Sequence, residues 1–260
     1  MRMISSLALA GLICLSLTAG SAVNAKTVGV AATAMPDTLT TPPSLSERAL
    51  VPGHSLVVQE RVTTGAMGPA QLLMLDQSAV TVSAQSELTI DAFVYDPNTR
   101  TGQMAINLSQ GLMRYVGGRI SKNGAVNIET PVATMGVRGG IAHVNVLSAT
   151  VVEVTLVYGE WIRGETRSGQ SFELTRAGEF TRIELGELPT PPVIIPIRTI
   201  QQAATSLGIE DPGTSAGTAE QDSRGRLNRG PSDDNSRDAE KARLDGGTGN
   251  HRDGGRRNRR

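Results

Sequence analysis

A rough alternation of apolar and polar residues is the feature that most limits how this chain can fold. Residues 87–95, with the sequence ELTIDAFVY, show it clearly, and residues 103–109, QMAINLS, repeat it. Both runs are short and contain β-branched residues, which is typical of β-strands that bury one face. Further runs of the same character are SLVVQERV, AQLLML, AVTVS, AVNIE, AHVNV, TVVEVTLVY, SFELT and FTRIEL. The pattern predicts an all-β domain over residues 50–186.

Turn-forming residues separate these runs and narrow the fold class. Ser168-Gly169 interrupts the alternation, and Asn123-Gly124 is a strong signal for a type I′ β-hairpin. Many short strands with frequent turns are typical of a β-sandwich or jelly roll, and also of a short β-solenoid. Because no sequence repeat of fixed period is visible, we favour a single β-sandwich or jelly-roll-like domain. The short β-solenoid is the alternative.

The first 25 residues have the three parts of a secretory signal peptide. Arg2 supplies a positive charge, residues 7–17 are apolar, and Val23-Asn24-Ala25 has the small residues of a cleavage site. The apolar run is shorter than the about 20 residues that a membrane span needs, so we expect no membrane span in the mature chain. The single cysteine lies within the predicted signal peptide. We therefore expect a periplasmic or secreted protein without disulfides.

Three segments outside the predicted β domain differ from it in composition. Residues 26–49 are rich in Thr, Pro and Ala and are predicted to be a flexible N-terminal spacer. Residues 187–211 contain LPTPPVIIPI, and because proline cannot donate to a sheet ladder we expect an extended Pro-rich strap. A short helix at residues 198–207 is expected to follow it. Residues 212–260 lack aromatic residues and are predicted to be a disordered charged tail.

The charge of the predicted tail raises the question of nucleic-acid binding. Residues 212–260 carry 11 basic and 8 acidic residues, whereas residues 26–211 carry 13 basic and 17 acidic residues. The net charge of the tail is thus only +3, and export separates it from genomic DNA. We expect no nucleic-acid partner and interpret the tail as solvated. Adhesion of its terminal arginines to anionic envelope polymers is the alternative.

The segment TPVATMGVRGG, which begins at Thr130 and ends at Gly140, concentrates unusual residues in a short space. Pro131 is expected to mark the beginning of a strand, because proline cannot donate a hydrogen bond within a sheet. Gly136 lies inside that predicted strand. Gly139 and Gly140 permit a positive φ, which favours a tight turn or a close approach of two backbones.

Arginines beside glycines are the candidate interaction residues. Arg138 precedes a glycine pair, and Arg114 and Arg119 flank another. The structural interpretation, which we favour, is a salt bridge or hydrogen bonds to loop carbonyls, with Glu129 as a partner for Arg138. The functional interpretation is that the planar guanidinium binds a carboxylate or phosphate beside exposed glycine N–H groups. Convergence of the three arginines on one face would favour the functional interpretation.

The sequence predicts no catalytic residue, no cofactor and no metal site. The three histidines, His54, His143 and His251, lie far apart and lack the spacing of metal ligands. No nucleophile elbow, phosphate-binding loop or recognisable pair of carboxylates is present. We therefore expect that the protein is not an enzyme, and we interpret His143 as a structural residue.

Three ordered stretches within residues 53–185 resemble the FecR domain, the exported module of regulators of iron-transport signalling. They are LLMLDQSAVTVSAQSELTIDAFVYDP, LSQGLMRYVGG and IETPVATMGVRGG. Gly140 departs from the family pattern, which usually has threonine after Arg-Gly. The resemblance implies an exported domain that binds or scaffolds other molecules.

The resemblance also bears on which partner to expect. In the family's named regulator a cytoplasmic segment binds a sigma factor, but here only Met1 to Ser6 precede the apolar run, so we expect no anti-sigma activity. We expect a non-catalytic module that binds an unidentified protein of the bacterial envelope. An envelope glycan is the alternative partner, and that interpretation predicts an exposed aromatic side chain such as Trp161 beside polar groups.

Overall fold

Seventeen β-strands and two helices make up residues 26–209, the part of the chain that this computed structural model describes. The first nine strands are β1 (Thr27–Thr33), β2 (Leu39–Thr41), β3 (Arg48–Ala49), β4 (Ser55–Val57), β5 (Arg61–Thr63), β6 (Ala70–Met74), β7 (Ala79–Val82), β8 (Glu87–Asp96) and β9 (Thr101–Val116). The others are β10 (Val126–Glu129), β11 (Ala133–Arg138), β12 (Ile141–Ser148), β13 (Val151–Tyr158), β14 (Trp161–Thr166), β15 (Ser171–Leu174), β16 (Glu179–Glu184) and β17 (Val193–Ile194). The helices are α1 (Arg119–Asn123) and α2 (Ile197–Ser206). The all-β prediction is confirmed.

The strands form two groups, named sheet A and sheet B below. In sheet A the order is β4-β1-β6-β7-β9-β12-β13-β16-β17. In sheet B it is β3-β2-β5-β8-β9-β10-β11-β14-β15. Among these pairings the one between β9 and β10 is parallel, and the others are antiparallel. After β9, the chain adds two strands to sheet B, then two to sheet A, and repeats the step, so two layers grow along one direction.

The long strand β9 belongs to both sheets. Residues 101–110 pair with β8 in sheet B, and residues 111–116 pair with β7 and β12 in sheet A. At the change of sheet Gly111 has a φ of +87°, and a Cβ there would overlap the side chain of Ser86. A glycine is needed at this bend because other residues would be strained in φ and would also clash.

Alternate side chains of both sheets point into a shared hydrophobic core. Within β9, the buried side chains of the sheet B part are Met104, Ile106 and Leu108, and those of the sheet A part are Met113 and Tyr115. All five belong to a single cluster of buried residues. Since removal of apolar surface from water is the main contribution that favours folding, the two sheets are stabilised together.

Residues 26–49 form strands, in place of the flexible spacer that their composition predicts. β1 lies between β4 and β6, and β2 pairs with β5. Val28 and Ala31 are buried in the core cluster. The buried carboxylate of Glu60 accepts a hydrogen bond of 2.7 Å from the hydroxyl of Thr40 and so fastens β2. The composition gave the wrong prediction for this segment because threonine is β-branched and fits a strand as well as a linker.

The predicted hairpin at Asn123-Gly124 is wrong, because these two residues end α1. β9 and β10, the strands that precede and follow α1, run parallel, whereas a two-residue hairpin joins antiparallel strands. Gly124 has a φ of −159°, which is extended backbone, whereas a type I′ turn needs a positive φ. The sequence signal was therefore overridden by the parallel pairing of the flanking strands.

The Pro-rich segment after β16 leads into β17 and then α2, which crosses the outer face of sheet A. Ile200 and Leu207 are buried on that face. A Cβ at Gly208 would lie 2.8 Å from Cγ of Pro69, just before β6, so the chain reaches the opposite part of the sheet. No helix within the described residues is long and apolar enough to span a membrane. The predicted signal peptide and the predicted disordered tail lie outside the described residues.

Candidate functional site

The motif TPVATMGVRGG begins with a closed turn. Thr130 is buried, and its hydroxyl donates to the carbonyl of Ala133 at 2.8 Å and accepts from the N–H of Ala133 at 3.1 Å. Pro131 lies inside this turn, two residues before β11 begins. Thr130 and Pro131 thus form the turn that leads the chain into β11.

The motif ends at a corner where the chain passes from β11 in sheet B to β12 in sheet A. Gly139 and Gly140 have φ values of +59° and +83°, the positive φ that the sequence predicts. The N–H of Gly139 donates to the carbonyl of Ser121 at 2.9 Å, and the carbonyl of Gly140 accepts from the N–H of Gly117 at 2.7 Å. A Cβ at Gly140 would overlap the carbonyl oxygen of Tyr158, so this position requires glycine for two separate reasons.

Arg138 forms an ion pair with Glu160, and not with the Glu129 that the sequence suggests. Its Nε lies 3.0 Å from Oε2 of Glu160, although the N–H is not directed at that oxygen. Glu129 instead faces Nη2 of Arg167 at 3.9 Å. Both members of the Arg138 pair are partly exposed, and such pairs contribute about 0–1 kcal/mol to stability. Loss of this ion pair alone would therefore not unfold the domain.

Gly136 lies beside Trp161 on the outer face of sheet B, where an added Cβ would make ordinary van der Waals contact. A Cβ at Gly136 would lie 3.5 Å from Cζ3 of Trp161. The guanidinium of Arg163 lies 4.7 Å from the centre of the Trp161 ring, and its Nε donates to Oε1 of Glu173 at 2.7 Å. Trp161 is partly exposed, but this cation–π contact covers a ring face on which a sugar would stack.

Arg119 is held against the turn between β6 and β7. Its Nε donates to Oε1 of Gln77 at 3.3 Å, and its backbone N–H donates to the carbonyl of Asp76 at 2.8 Å. The carboxylate of Asp76 is buried and accepts from the N–H groups of Ser78 at 3.1 Å and Ile120 at 3.2 Å. These contacts anchor α1, so Arg119 has a structural partner.

Arg114 and His143 contact each other on the outer face of sheet A. Nη1 of Arg114 lies 3.0 Å from Nε2 of His143, which must accept because a guanidinium only donates. His143 is almost completely buried, since α2 covers this part of the sheet. Burial, and then the charge of Arg114, lower the pKa of His143 to about 4. Burial also lowers the pKa of Arg114. His143 is therefore a neutral acceptor at neutral pH.

The three candidate arginines do not share a partner. Within residues 26–209, the hydrogen-bond or ion-pair partners of their side chains are His143 for Arg114, Gln77 for Arg119 and Glu160 for Arg138. A common ligand site formed by all three would require each of them to leave its present contact. The geometry favours the structural interpretation for Arg114 and Arg119, while the side chain of Arg138 is 41% exposed beside its ion-pair partner.

A cleft of about 250 Å³ lies between α2 and sheet A, and the sequence did not predict it. Its floor includes Asn145, Glu153 and Thr155, and Ile200 of α2 lies above them. Nδ2 of Asn145 lies 3.5 Å from one oxygen of Glu153, and Nη1 of Arg182 lies 3.4 Å from the other. Asn145 and Glu153 thus already have polar partners within the protein. The sequence feature that could have indicated this cleft is His143, which lies in a strand whose alternate residues belong to the core.

A second concavity, of about 450 Å³, lies on the outer face of sheet B. It is lined by residues 41–45 on one side and by side chains of β5, β8 and β9 on the other, and it is named the sheet B groove below. Although Glu87 and Asp91 line it, no group of three or more His, Cys, Asp and Glu side chains in the described part of the chain is arranged to hold a metal ion. No motif in the sequence indicated this groove, because its walls come from distant parts of the chain.

Exposed apolar side chains gather at the last strand of sheet A. Leu188, Val193, Ile194 and Ile197 are each between 53% and 76% exposed, and they are named the apolar ridge below. They lie within ten residues of one another, on either side of and within β17. A concentration of exposed apolar side chains is a feature of surfaces that bind other proteins.

Residues 60–160 match the family model described as FecR protein. The match covers β5 to β13, which are the central strands of both sheets, and the described structure continues beyond it at both ends. No curated protein matches the chain significantly.

Two crystal structures of a candidate anti-sigma factor from Parabacteroides distasonis ATCC 8503 are similar to this chain. Their sequence identities to it are 12% and 11%, and the TM-scores are 0.41 and 0.40. Each similarity covers 55% of this chain and 64% of the solved chain, so the chain spans less than two thirds of the structures it matches.

Proposed function

Because residues 60–160 carry a FecR domain, we propose that this protein is a non-catalytic binding module that docks a partner protein in the bacterial envelope. The proposal places the protein in the periplasm or outside the cell, in keeping with the signal peptide that residues 1–25 predict. The observation that carries it is the apolar ridge, which lies beyond the matched residues and belongs to the strap that follows β16.

The apolar ridge exposes apolar side chains that the surface of a folded partner could cover. Val193 and Ile194 lie on the outermost strand of sheet A, and Ile197 begins α2 immediately afterwards. Because these side chains are more than half exposed, their contact with a partner would remove apolar surface from water, which favours association. The ridge therefore supplies a driving force for association that the paired charges of sheet B do not.

The strap also restricts how a partner can bind. The N–H of Thr190 donates to the carbonyl of Arg182 at 2.9 Å, and the N–H of Ile195 donates to that of Gly178 at 3.0 Å, so the edge of β16 is already occupied. The prolines around β17, at positions 191, 192 and 196, have no N–H to offer to an added strand. Recognition should thus use side chains and not the addition of a β-strand.

Photocrosslinking in intact cells tests the proposal. A photoreactive amino acid at Ile194 should give one discrete protein adduct in the envelope fraction. Val94, an apolar residue of β8 that is 60% exposed, is the matched control position and should give none. A third probe at Arg138 asks whether the corner of the TPVATMGVRGG motif lies at the same interface.

A second set of variants connects the adduct to the ridge. Val193→Asp should abolish the adduct formed from Ile194, whereas Val94→Asp should leave it unchanged, with both variants exported and folded. The same adduct from Ile194 and Val94, or an adduct that survives Val193→Asp, would contradict the proposal. A concentration-dependent mass that Val193→Asp removes would also contradict it, by showing that the ridge binds a second copy of this chain.

A further inference from the structure

The sheet B groove has a polar floor and a partly apolar opposite wall. Thr89 and Asp91 of β8 and Asn107 of β9 lie on the floor, while Pro43 and Leu45 belong to the facing loop. Its volume of about 450 Å³ falls within the range of about 300–1,000 Å³ that is typical of sites for small ligands. A groove with one polar and one apolar side can bind a molecule that has both kinds of surface.

The floor of the groove divides into a bonded part and an unbonded part. In the bonded part, Oε1 of Glu87 accepts from the hydroxyl of Ser109 at 3.1 Å and lies 3.9 Å from Nη1 of Arg61. In the other part, the side chains of Thr89 and Asn107 have no hydrogen-bond or ion-pair partner within residues 26–209. Asn107 directly faces Thr89 across the β8–β9 ladder, so their free groups are adjacent.

Asp91 adds a carboxylate to this unbonded part. No hydrogen bond to its side chain exists among the described residues, and burial, followed by the negative charge of Glu129, raises its pKa. A carboxylate that is partly buried without a partner is unfavourable, and the penalty is relieved when a ligand donates hydrogen bonds to it. The groove therefore contains an acceptor, an amide and a hydroxyl within one short stretch of two neighbouring strands.

On the rest of this sheet face, charged side chains pair with one another. Its arginines are paired with glutamates, as in Arg163 with Glu173 at 2.7 Å and Arg138 with Glu160 at 3.0 Å. Asn127 in β10, outside the groove, also lacks a side-chain partner among residues 26–209, so the groove is distinguished by having three free polar groups close together within a concavity. They are the groups that a ligand could engage without first breaking a contact within the protein.

The walls of the groove have an unusual backbone. Ser44 in the facing loop has a φ of +61°, and Gln59 before β5 has a φ of +63°. Residues other than glycine seldom adopt such values, which cost on the order of 1–3 kcal/mol. Two of these positions border the same groove.

We infer that the sheet B groove binds a saccharide. Sugar hydroxyls both donate and accept, which matches the carboxylate of Asp91, the amide of Asn107 and the hydroxyl of Thr89. The C–H face of a sugar ring would lie against Pro43 and Leu45. The inference does not rest on the apolar ridge, which belongs to the edge of sheet A, and it moves the glycan site away from Trp161.

Titration with defined oligosaccharides, followed by NMR of the exported protein labelled with ¹⁵N, tests the inference. The probes are chitopentaose and maltoheptaose, added to millimolar concentration. At least one should shift the backbone amide signals of Thr89, Asn107 and Ser44 in a saturable manner. Absence of such shifts with both probes would overturn the inference, as would shifts centred on Trp161.

Two asparagines on the same sheet face provide a matched pair of variants. Asn107→Ala should weaken binding of the active probe at least about tenfold, because it removes a donor and an acceptor from the ligand. Asn127→Ala, in β10 and outside the groove, should leave binding unchanged. Equal affinity of the two variants would overturn the inference. Both asparagines are at least partly exposed, so neither change should unfold the domain, and melting temperatures check this.

Discussion

Nη1 of Arg114 lies 3.0 Å from Nε2 of His143, and the histidine is buried beside helix α2. A buried histidine next to a permanent cation resists protonation, first because burial disfavours its charged form and then because Arg114 repels it. The pair makes the stability of the domain depend on pH in a definite direction.

The free energy of unfolding should fall as pH falls below about 6.5. The folded state keeps His143 neutral down to a pKa of about 4, whereas the unfolded chain takes up a proton near the ordinary value of 6.5. Between these values the unfolded state binds more protons, so lowering the pH favours unfolding, by about 2–3 kcal/mol between pH 7 and pH 4.5. Urea unfolding at the two pH values measures the difference.

Histidine variants separate this effect from the titration of carboxylates. His143→Gln should lose about 2–3 kcal/mol less than the parent protein over the same pH interval. His54→Gln, which changes a histidine in a loop between β3 and β4, should keep the parent's pH dependence. Equal pH dependence in His143→Gln and the parent would contradict the prediction.

Neighbouring glycines at the corner should respond very differently to alanine. At Gly140 a Cβ would overlap the carbonyl oxygen of Tyr158, whereas at Gly139 the nearest atom would be 3.8 Å away. Both have a positive φ, so Gly139→Ala should cost about 1 kcal/mol from backbone strain. Gly140→Ala should cost about 3 kcal/mol or more, because backbone must also move. Comparable unfolding midpoints in urea for the two variants would rule out the close approach.

Two isoleucines of α2 should report how firmly the helix is held. Ile200 is 7% exposed and Ile197 is 65% exposed, so Ile200→Ala should cost about 2–3 kcal/mol and Ile197→Ala less than about 0.5 kcal/mol. Thermal unfolding measures both. The pKa of His143, followed by NMR, should rise toward 6.5 in Ile200→Ala, since a loosened helix admits water. A pKa that stays near 4 in this variant would show that α2 does not shield the histidine.

Glu60 should be important for attaching the first strands. Its carboxylate accepts from the hydroxyl of Thr40 at 2.7 Å and from the N–H of Val57 at 2.8 Å. Glu60→Gln should therefore cost about 1–3 kcal/mol, because a buried donor loses its charged acceptor. Glu47→Gln, at an exposed position in the same region, should have little effect on the urea midpoint. A similar small effect at Glu60 would contradict the prediction.

Local patterns in the sequence predict much of this fold. The alternation in ELTIDAFVY corresponds to β8, and the glycine pair after Arg138 has the positive φ expected of it. These features depend on residues close in the chain, because side-chain period and backbone freedom are local properties. The helix expected at residues 198–207 is found at Ile197–Ser206 for the same reason.

Features that depend on distant residues were not predictable. β1 is a strand because β4 and β6 offer it partners on both sides, and nothing in its own Thr- and Ala-rich sequence reveals that. Arg138 finds Glu160 because β11 pairs with β14, a register that one sequence does not specify. The sheet B groove likewise needs residues 41–45 to lie beside Asn107.

The order in which strands join the two sheets determines how this domain can change its length. After β9, strands are added as a pair to sheet B and then a pair to sheet A, and this step occurs twice. A single inserted strand would send every later strand into the wrong register or direction, whereas a block of four would leave the existing pairings intact. Size in this architecture is therefore expected to vary among proteins by whole blocks of four strands.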